Sequence, residues 1–455
     1  MNYVHGALYR NVLFPLYEEK TRGRPTLKRL RYLERSQWFS LDELTSIQSE
    51  ELQKLLEHAW NAVPFYRQRL EQAGVGPTDV RTPEDLSQIP VMTRAEAQSS
   101  VEQRTSTRPP FPTIFKTTGG STGQPLPIGY DYESEYWRLA LKLRGYGWAG
   151  NRIGDKTLYY WGEPVKPRPL HARAKMALDR ALRRDIYVNC TPRSEKDLLA
   201  VIQLIRRDRP SAIACYTQAG VALARFVLDQ GLRTWGTIPV ICAAERLFPA
   251  DRKILEDAFG PSVFETYGCR ETMLVAAECE AHAGLHVSME NLIVEILVNQ
   301  EGQYRPAAPG EVGEVVLTDL HNLGMPFIRY AIGDLAMAGP RDRCACGRAL
   351  VRMSSIEGRT ADTLRDASGE HVSGLLFTLI FSPLASTVRQ YQAIQHKNGS
   401  LTVRVVPTPR FDETALEHVL KNCHKYLKGL PVHVERVTDI PPEANGKRRV
   451  VVVEK

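Results

Sequence analysis

Cysteine is scarce, with eight residues in 455, and the eight are too scattered to frame a disulfide-stapled fold. No stretch approaches the ~20 apolar residues that span a bilayer, so no transmembrane segment is expected. The opening MNYVHGALYRNVLFPLYEEK lacks a basic stretch leading a purely apolar one, which argues against a signal peptide. The expected compartment is therefore the cytoplasm, where thiols stay reduced. No internal repeat and no low-complexity tract occurs. Neither sign of charge dominates: 59 Lys and Arg face 52 Asp and Glu, a net +7 that does not call for a nucleic-acid partner. What is present is ordinary for a globular chain, at 43% hydrophobic and 24% charged residues, which excludes wholesale disorder and collagen-like repeats. The length predicts two or three domains.

Residues 20–36 (KTRGRPTLKRLRYLERS) form a basic run. It reads as a solvated N-terminal arm, with peripheral contact to acidic lipid as the alternative. SLDELTSIQSEELQKLLEHAWNAV has the period of a long amphipathic helix capped by Ser40. From about residue 195 helices and short apolar strands alternate: EKDLLAVIQLIRRD, SAIACY, AGVALARFVLDQ, IPVICAA, ADRKILEDAF, SVFETYG. Such alternation predicts right-handed crossovers and a parallel sheet. HVSMENLIVEIL and GEVGEVVLTDL follow without intervening helices and predict antiparallel pairing. Beyond IEGRTAD, two β-rich runs flank an Asn-Gly turn in VRQYQAIQHKNGSLTVRVV, then come a helix (ETALEHVLKNCHKYL), a strand (VHVERV) and the closing GKRRVVVVEK, with a basic front and an apolar tail. This is a small α+β unit able to fold alone.

Three glycine patterns compete. Gly145, Gly147 and Gly150 satisfy G-x-G-x-x-G, but a helix precedes them and a strand follows, the reverse of a dinucleotide site, so they read as a turn. Gly119, Ser121 and Gly123 satisfy the nucleophile elbow G-x-S-x-G, yet Pro125 and Pro127 oppose the helix that an elbow needs. The whole run KTTGGSTGQP is left, a mobile loop able to turn backbone N–H groups and hydroxyls toward phosphate. No Walker A sequence exists in the chain.

Taken with further motifs, this run resembles the phosphate loop of the adenylate-forming ligase superfamily. The likeness is carried by Thr117-Thr118-Gly119-Gly120-Ser121-Thr122-Gly123, by Ala243-Ala244-Glu245 after a strand, and by Tyr267-Gly268-Cys269-Arg270-Glu271, which is similar to Tyr-Gly-x-Thr-Glu. Arg329 to Asp334 (RYAIGD), Gly358 to Asp362 (GRTAD) and Pro441 to Lys447 follow in the family's order. Within the superfamily the entrance SQWFSLDEL…LLEHAWNAVPFYRQRL and the phrase GMPFIRYAIGDL resemble the phenylacetate–CoA ligase branch, including its capsule-cluster members. The resemblance implies an α/β fold: a large N-terminal domain with parallel and antiparallel sheets, residues 1–357, and a small mobile α+β C-terminal lid, residues 358–455, carrying the catalytic lysine. It departs from the pattern at Arg270, where the family has Thr, and at Ala361, where the family has Asp.

The chemistry implied is attack of a carboxylate on the α-phosphate of ATP, giving an acyl-adenylate and pyrophosphate, then transfer to a thiol, expected to be coenzyme A. The resemblance assigns Lys447 to bridge carboxylate and α-phosphate, Glu271 to Mg²⁺, Arg359 to ribose or phosphate and Asp334 to the ribose hydroxyls. Thr117 to Gly123, Ala244, Glu245, Tyr267 and Gly268 would line the nucleotide. It also implies structural Zn²⁺ held by Cys279, Cys344, Cys346 and His286, the last preferred over His282 because it opens a strand. The other five cysteines sit mostly in apolar runs and read as core. A ligase with a non-CoA acceptor (an amine, or a coenzyme receiving AMP) and a nucleotide-binding pseudoenzyme are the rival readings. The partner expected is a small carboxylic acid.

Overall fold

A computed structural model describes residues 2–117, 126–162, 170–191, 194–300, 303–359, 364–368, 371–372, 375–381, 384, 387–427, 429–441 and 449–454. Local signals start several elements as expected. Ser40 caps the helix Leu41–Ala62, its hydroxyl accepting from Glu43 N while the Glu43 carboxylate accepts from Ser40 N at 2.8 Å. Ser194 with Asp197 starts Glu195–Asp208 in the same way. This reciprocal pairing satisfies backbone donors that have no partner inside the helix.

Two strands, β1 (Thr113–Thr117) and β2 (Pro127–Asp131), pair antiparallel from Thr113↔Asp131 to Thr117↔Pro127. They precede a twelve-stranded sheet made of β3 (Thr157–Trp161), β4 (Asp185–Asn189), β5 (Ala212–Tyr216), β6 (Val240–Ala243), β7 (Val263–Cys269), β8 (Met273–Glu278), β9 (Leu285–Val287), β10 (Leu292–Gln300), β11 (Gln303–Pro306), β12 (Val312–Asp319), β13 (Tyr330–Ala338) and β14 (Arg352–Arg359). Its order is β11-β10-β12-β13-β14-β9-β8-β7-β6-β5-β3-β4. The strands from β4 to β7 run parallel, and β7 through β11 pair antiparallel, so the two expected sheet types are halves of one sheet. β7 is the strand where the pairing changes character.

The alternation seen in the sequence is reproduced by the helices Glu195–Asp208, Thr217–Asp229 and Pro249–Phe259 between β4 and β7. Ile202, Leu223, Val227, Leu255 and Phe259 pack on Ile213, Cys215, Val240 and Cys242, so these cysteines are core residues. The antiparallel half is covered by Leu41–Ala62 and the following helix Pro64–Ala73, through Leu52, Leu55, Leu56 and Tyr66. A separate core, including Phe377, Val403, Val419 and Leu427, belongs to the C-terminal residues. There β17 (Val388–Gln395) and β18 (Leu401–Pro407) form the expected hairpin around Asn398-Gly399. With β15 (Leu364–Arg365), β16 (His371–Val372), β19 (Val432–Arg436), β20 (Val451–Val453) and the helix Glu413–Tyr426, they make the small α+β unit.

Two expectations are corrected. The basic run is not a solvated arm: Thr26–Ser36 is a helix whose Leu27, Leu30 and Leu33 are buried with Trp137, Ala140 and Leu141 of the helix Tyr132–Trp148. Burying each leucine is worth ~1.5–3 kcal/mol, enough to dock a helix that carries this much charge. Gly145 and Gly147 are not in a turn either but inside Tyr132–Trp148; only Gly150 turns the chain, at φ +80°. Gly145 is small because a Cβ there would sit 2.6 Å from the Leu274 side chain on β8.

Candidate functional site

The site is assembled at the place where β7 gives way to β8, beside the ends of β13 and β14. Asp334 on β13 lies opposite Arg359 on β14 in register. Arg359 Nε is 3.2 Å from Asp334 Oδ1, and the Tyr267 hydroxyl donates to Asp334 Oδ2 at 2.8 Å. Each carboxylate oxygen has a second lone pair, so a diol can still donate to both. Tyr267 is buried, and burial together with Asp334 holds its hydroxyl well above the usual tyrosine range, so it stays a donor. Gly268 makes the bend after it: a Cβ there would lie 2.1 Å from the Met273 carbonyl, where β7 and β8 shift register.

Glu271 sits in that bend, 5% exposed, with the Arg94 guanidinium 3.7 Å away. Burial raises its carboxyl above the ordinary value against the pull of Arg94. The Arg138 guanidinium donates to the Glu271 carbonyl and pairs with the buried Asp319 at 3.3 Å, which anchors the bend from below. A carboxylate so desolvated, with no cation at hydrogen-bond range in its ion pair, suits a divalent ion beside phosphate.

Arg270 Nη1 donates to the Thr117 carbonyl at 3.3 Å. Thr117 ends β1, so the departure from the family pattern lies at the foot of the glycine-rich run. Thr118, Gly119, Gly120, Ser121, Thr122 and Gly123 lie outside the described residues. Their flanks pair as an antiparallel hairpin, whereas a nucleophile elbow needs a strand and then a helix. Ala244, at φ +69°, and Glu245 follow β6. The Glu245 carboxylate accepts from Gln218 N at 2.9 Å, at the positive end of the helix Thr217–Asp229, and its carbonyl accepts from Thr217 Oγ1 at 2.8 Å. Lys447 and Ala361 lie outside the described residues. Sequence reasoning missed Arg94 and Arg138; neither lies in a recognisable motif, and only the tertiary fold brings them to Glu271.

A second constellation lies on the seam between β8, β9 and β14. One ligand atom from each of Cys279, His286, Cys344 and Cys346 falls within 4.8 Å of all the others. The Cys279 and Cys344 sulfurs are 3.9 Å apart, and Cys346 Sγ is 3.4 Å from His286 Nε2. Tetrahedral Zn–S and Zn–N bonds of ~2.3 and ~2.0 Å give edges of ~3.8 and ~3.5 Å. The donor set therefore fits that ion in chemistry and in size. The other ring nitrogen, His286 Nδ1, is 3.3 Å from the Leu350 carbonyl, which orients Nε2 toward the thiols. His282 is elsewhere: its ring lies tilted against Phe264, with centroids 4.8 Å apart, and its Nδ1 is 3.1 Å from the Glu278 carboxylate. Of the two histidines that the sequence left open, His286 joins the cluster.

The family described as CapK C-terminal domain matches residues 364–454. A phenylacetate–coenzyme A ligase of Thermus thermophilus is 28% identical over 374 residues, 79% of this chain and 80% of that protein. Protein CapK of Staphylococcus aureus is 20% identical over 419 residues, 90% of this chain and 89% of its own. Among solved structures, 2-hydroxyisobutyryl-CoA ligase in the postadenylation state, in complex with R3-HIB-AMP, superposes with a TM-score of 0.73 at 20% identity, covering 92% and 91% of the two chains. The chain thus has the fold of the adenylate-forming ligases. In sequence it is similar to phenylacetate–coenzyme A ligases and to CapK.

Proposed function

We propose that this chain is an ATP-dependent ligase that activates a small carboxylic acid as its acyl-adenylate and transfers the acyl group to a thiol, coenzyme A. The observation that carries the reading is the convergence of Tyr267, Glu271, Asp334 and Arg359 beside the foot of the glycine-rich run. An ionised carboxylate needs no general base to attack phosphorus; it needs to be positioned, and the charge on the phosphates needs to be met. Asp334, already fixed by Tyr267 and Arg359, accepts from the ribose hydroxyls. Arg359 and Arg270 supply positive charge toward phosphate. Glu271 would hold Mg²⁺, which supplies neutralisation of the phosphate oxygens. Lys447, from the C-terminal unit, is assigned to carboxylate and α-phosphate. A rotation about residues 358–363 would bring it in and take it away, with residues 1–357 as body and 358–455 as lid. Zn²⁺ on Cys279, His286, Cys344 and Cys346 would be structural, and its three thiolates require the reducing conditions of a cytoplasm.

Pyrophosphate release across a panel of aromatic, fatty and amino acids, with product masses read with and without coenzyme A, tests the reading. An acid-dependent release with an acyl-CoA product supports it. ATP binding without release for any acid refutes acyl activation. A non-CoA acceptor is the second reading, which a product mass lacking the CoA increment would favour.

A further inference from the structure

The net charge of +7 is not spread evenly over the chain. Residues 1–36 hold eight Lys and Arg against three Asp and Glu, and residues 170–184 hold five against one. Those two segments exceed the whole excess, so the rest of the molecule is slightly acidic. The fold brings them together. Arg183, at the end of the helix Leu170–Arg183, lies near enough to the N-terminal helical segment for its charge to act on Tyr9 and for the charge of Glu18 to act on it. Arg10 holds the segment to the body through the Ile153 carbonyl at 2.9 Å and Asp155 at 3.0 Å.

The face left outward is apolar where a charged segment on a globular surface has no need to be. Leu8, Val12 and Leu16, spaced every fourth residue, are 49%, 50% and 55% exposed, with Leu13 beside them at 39%. On the neighbouring helix Leu178 and Leu182 are 62% and 44% exposed. Tyr9 and Phe14 point inward and are buried, so the outward residues are the surplus apolar side of an amphipathic element already docked. Lys20, Arg22, Lys28 and Arg35 are exposed close by in sequence. A second copy of this face is a poor partner, since a two-fold contact would oppose like charge. Nucleic acid has no use for exposed leucines. Basic charge around an exposed apolar stripe suits an interface of anionic headgroups over hydrocarbon.

We infer that this surface binds the chain peripherally to an anionic lipid bilayer, with Leu8, Val12, Leu16, Leu178 and Leu182 inserted among the acyl chains and the surrounding Lys and Arg at the headgroups. The inference is independent of which acid is activated, because no residue of the nucleotide site takes part. The test is co-sedimentation of the full chain with vesicles of phosphatidylcholine alone and with about a third phosphatidylglycerol. Binding to the second and not the first is expected, weakening at least tenfold when salt is raised, by screening. Leu8→Glu with Val12→Glu and Leu16→Glu is expected to lower partitioning by at least tenfold while leaving the thermal unfolding midpoint and pyrophosphate release unchanged. Absence of binding to anionic vesicles overturns the inference. So does undiminished binding of the triple variant, which would mean charge alone acts, and so does a wild-type dimer that the triple variant converts to monomer without any vesicle binding.

Discussion

Cys346→Ala removes one of the four side chains that would hold Zn²⁺ at the seam between β9 and β14. Backbone pairing across that seam is short, although Leu285, Val287 and Met353 are buried in the main core and Val287 N donates to the Val351 carbonyl at 2.8 Å. β9 is three residues long and pairs with β14 at only two positions, Arg352↔His286 and Met353↔Leu285. The ion pair of Arg348 with Glu280, whose side chain is 54% exposed, adds little, since exposed pairs contribute ~0–1 kcal/mol. The thiols do not compensate for a missing ion. Burial pushes Cys279 up to about 12, while hydrogen bonds from Arg348 hold Cys346 below its usual value despite its own burial. A cation bound among the thiols would favour their ionised forms. A metal bound to the native state at a hundred times its dissociation constant adds ~2.7 kcal/mol, and more if tighter. At ~2–4 °C per kcal/mol for a large domain, the midpoint should fall by ~5–10 °C or more on substitution or chelation. Activity measured well below that midpoint should change little. Arg359 is the far end of β14 from Arg352, ~23 Å away at ~3.3 Å per residue. The assay is metal content per chain by mass spectrometry, alongside thermal unfolding with and without chelator. Wild-type protein purified without added zinc that carries less than ~0.1 metal per chain, and whose midpoint ignores both chelator and added zinc, would refute the reasoning.

Further outcomes follow from the nucleotide site and the core. Asp334→Asn should raise KM for ATP about tenfold or more with a smaller change in kcat, because it weakens charge-assisted contacts made to ribose before and during reaction; initial-rate kinetics check this. Lys447→Ala should lower acid-dependent pyrophosphate release by about a hundredfold or more while ATP still binds by calorimetry. Burial raises Glu265 to about 7, helped by the neighbouring Glu278. A carboxyl raised in the folded state stabilises below its unfolded value of ~4.3 and loses that contribution as pH rises through about 7. Glu265→Gln should therefore raise stability at pH 8, by on the order of 3–4 kcal/mol at most, and leave it nearer wild type around pH 5; denaturant melts at the two values decide it.

Much of the fold was legible because its signals are local. Ser40 with Glu43, Asn398-Gly399 and the apolar strands from Ala212 to Cys269 each carry their own instruction. The basic run misled for a physical reason: Leu27, Leu30 and Leu33 recur at helical spacing, but their value depends on Trp137 and Leu141, over a hundred residues away. Gly145 was opaque in the same way, since Leu274 on β8 sets its need for space. Tyr267, Asp334 and Arg359, which motif order singled out, touch one another in the fold. Motif order gave no hint of Arg94 or Arg138, which reach Glu271 only through tertiary packing. Spacing alone left His282 and His286 equivalent, and strand pairing separated them: His286 faces Arg352 across β9 and β14, whereas His282 turns toward Phe264.

β14 is bounded at both ends by chemistry that depends on counting. Just before it stands the Cys-x-Cys turn, and at its end Arg359 must face Asp334 across two irregularities in its pairing with β13. Side chains alternate along a strand, so losing one residue between Arg352 and Arg359 would turn the guanidinium to the wrong face or drag the segment that leads back to Cys346 out of register. What is fixed along this stretch is therefore a number more than a composition. Substitutions at exposed Val351 or Ser354 should pass unnoticed, while a single deletion beside them should break the Cys/His cluster or the hold of Arg359 on Asp334.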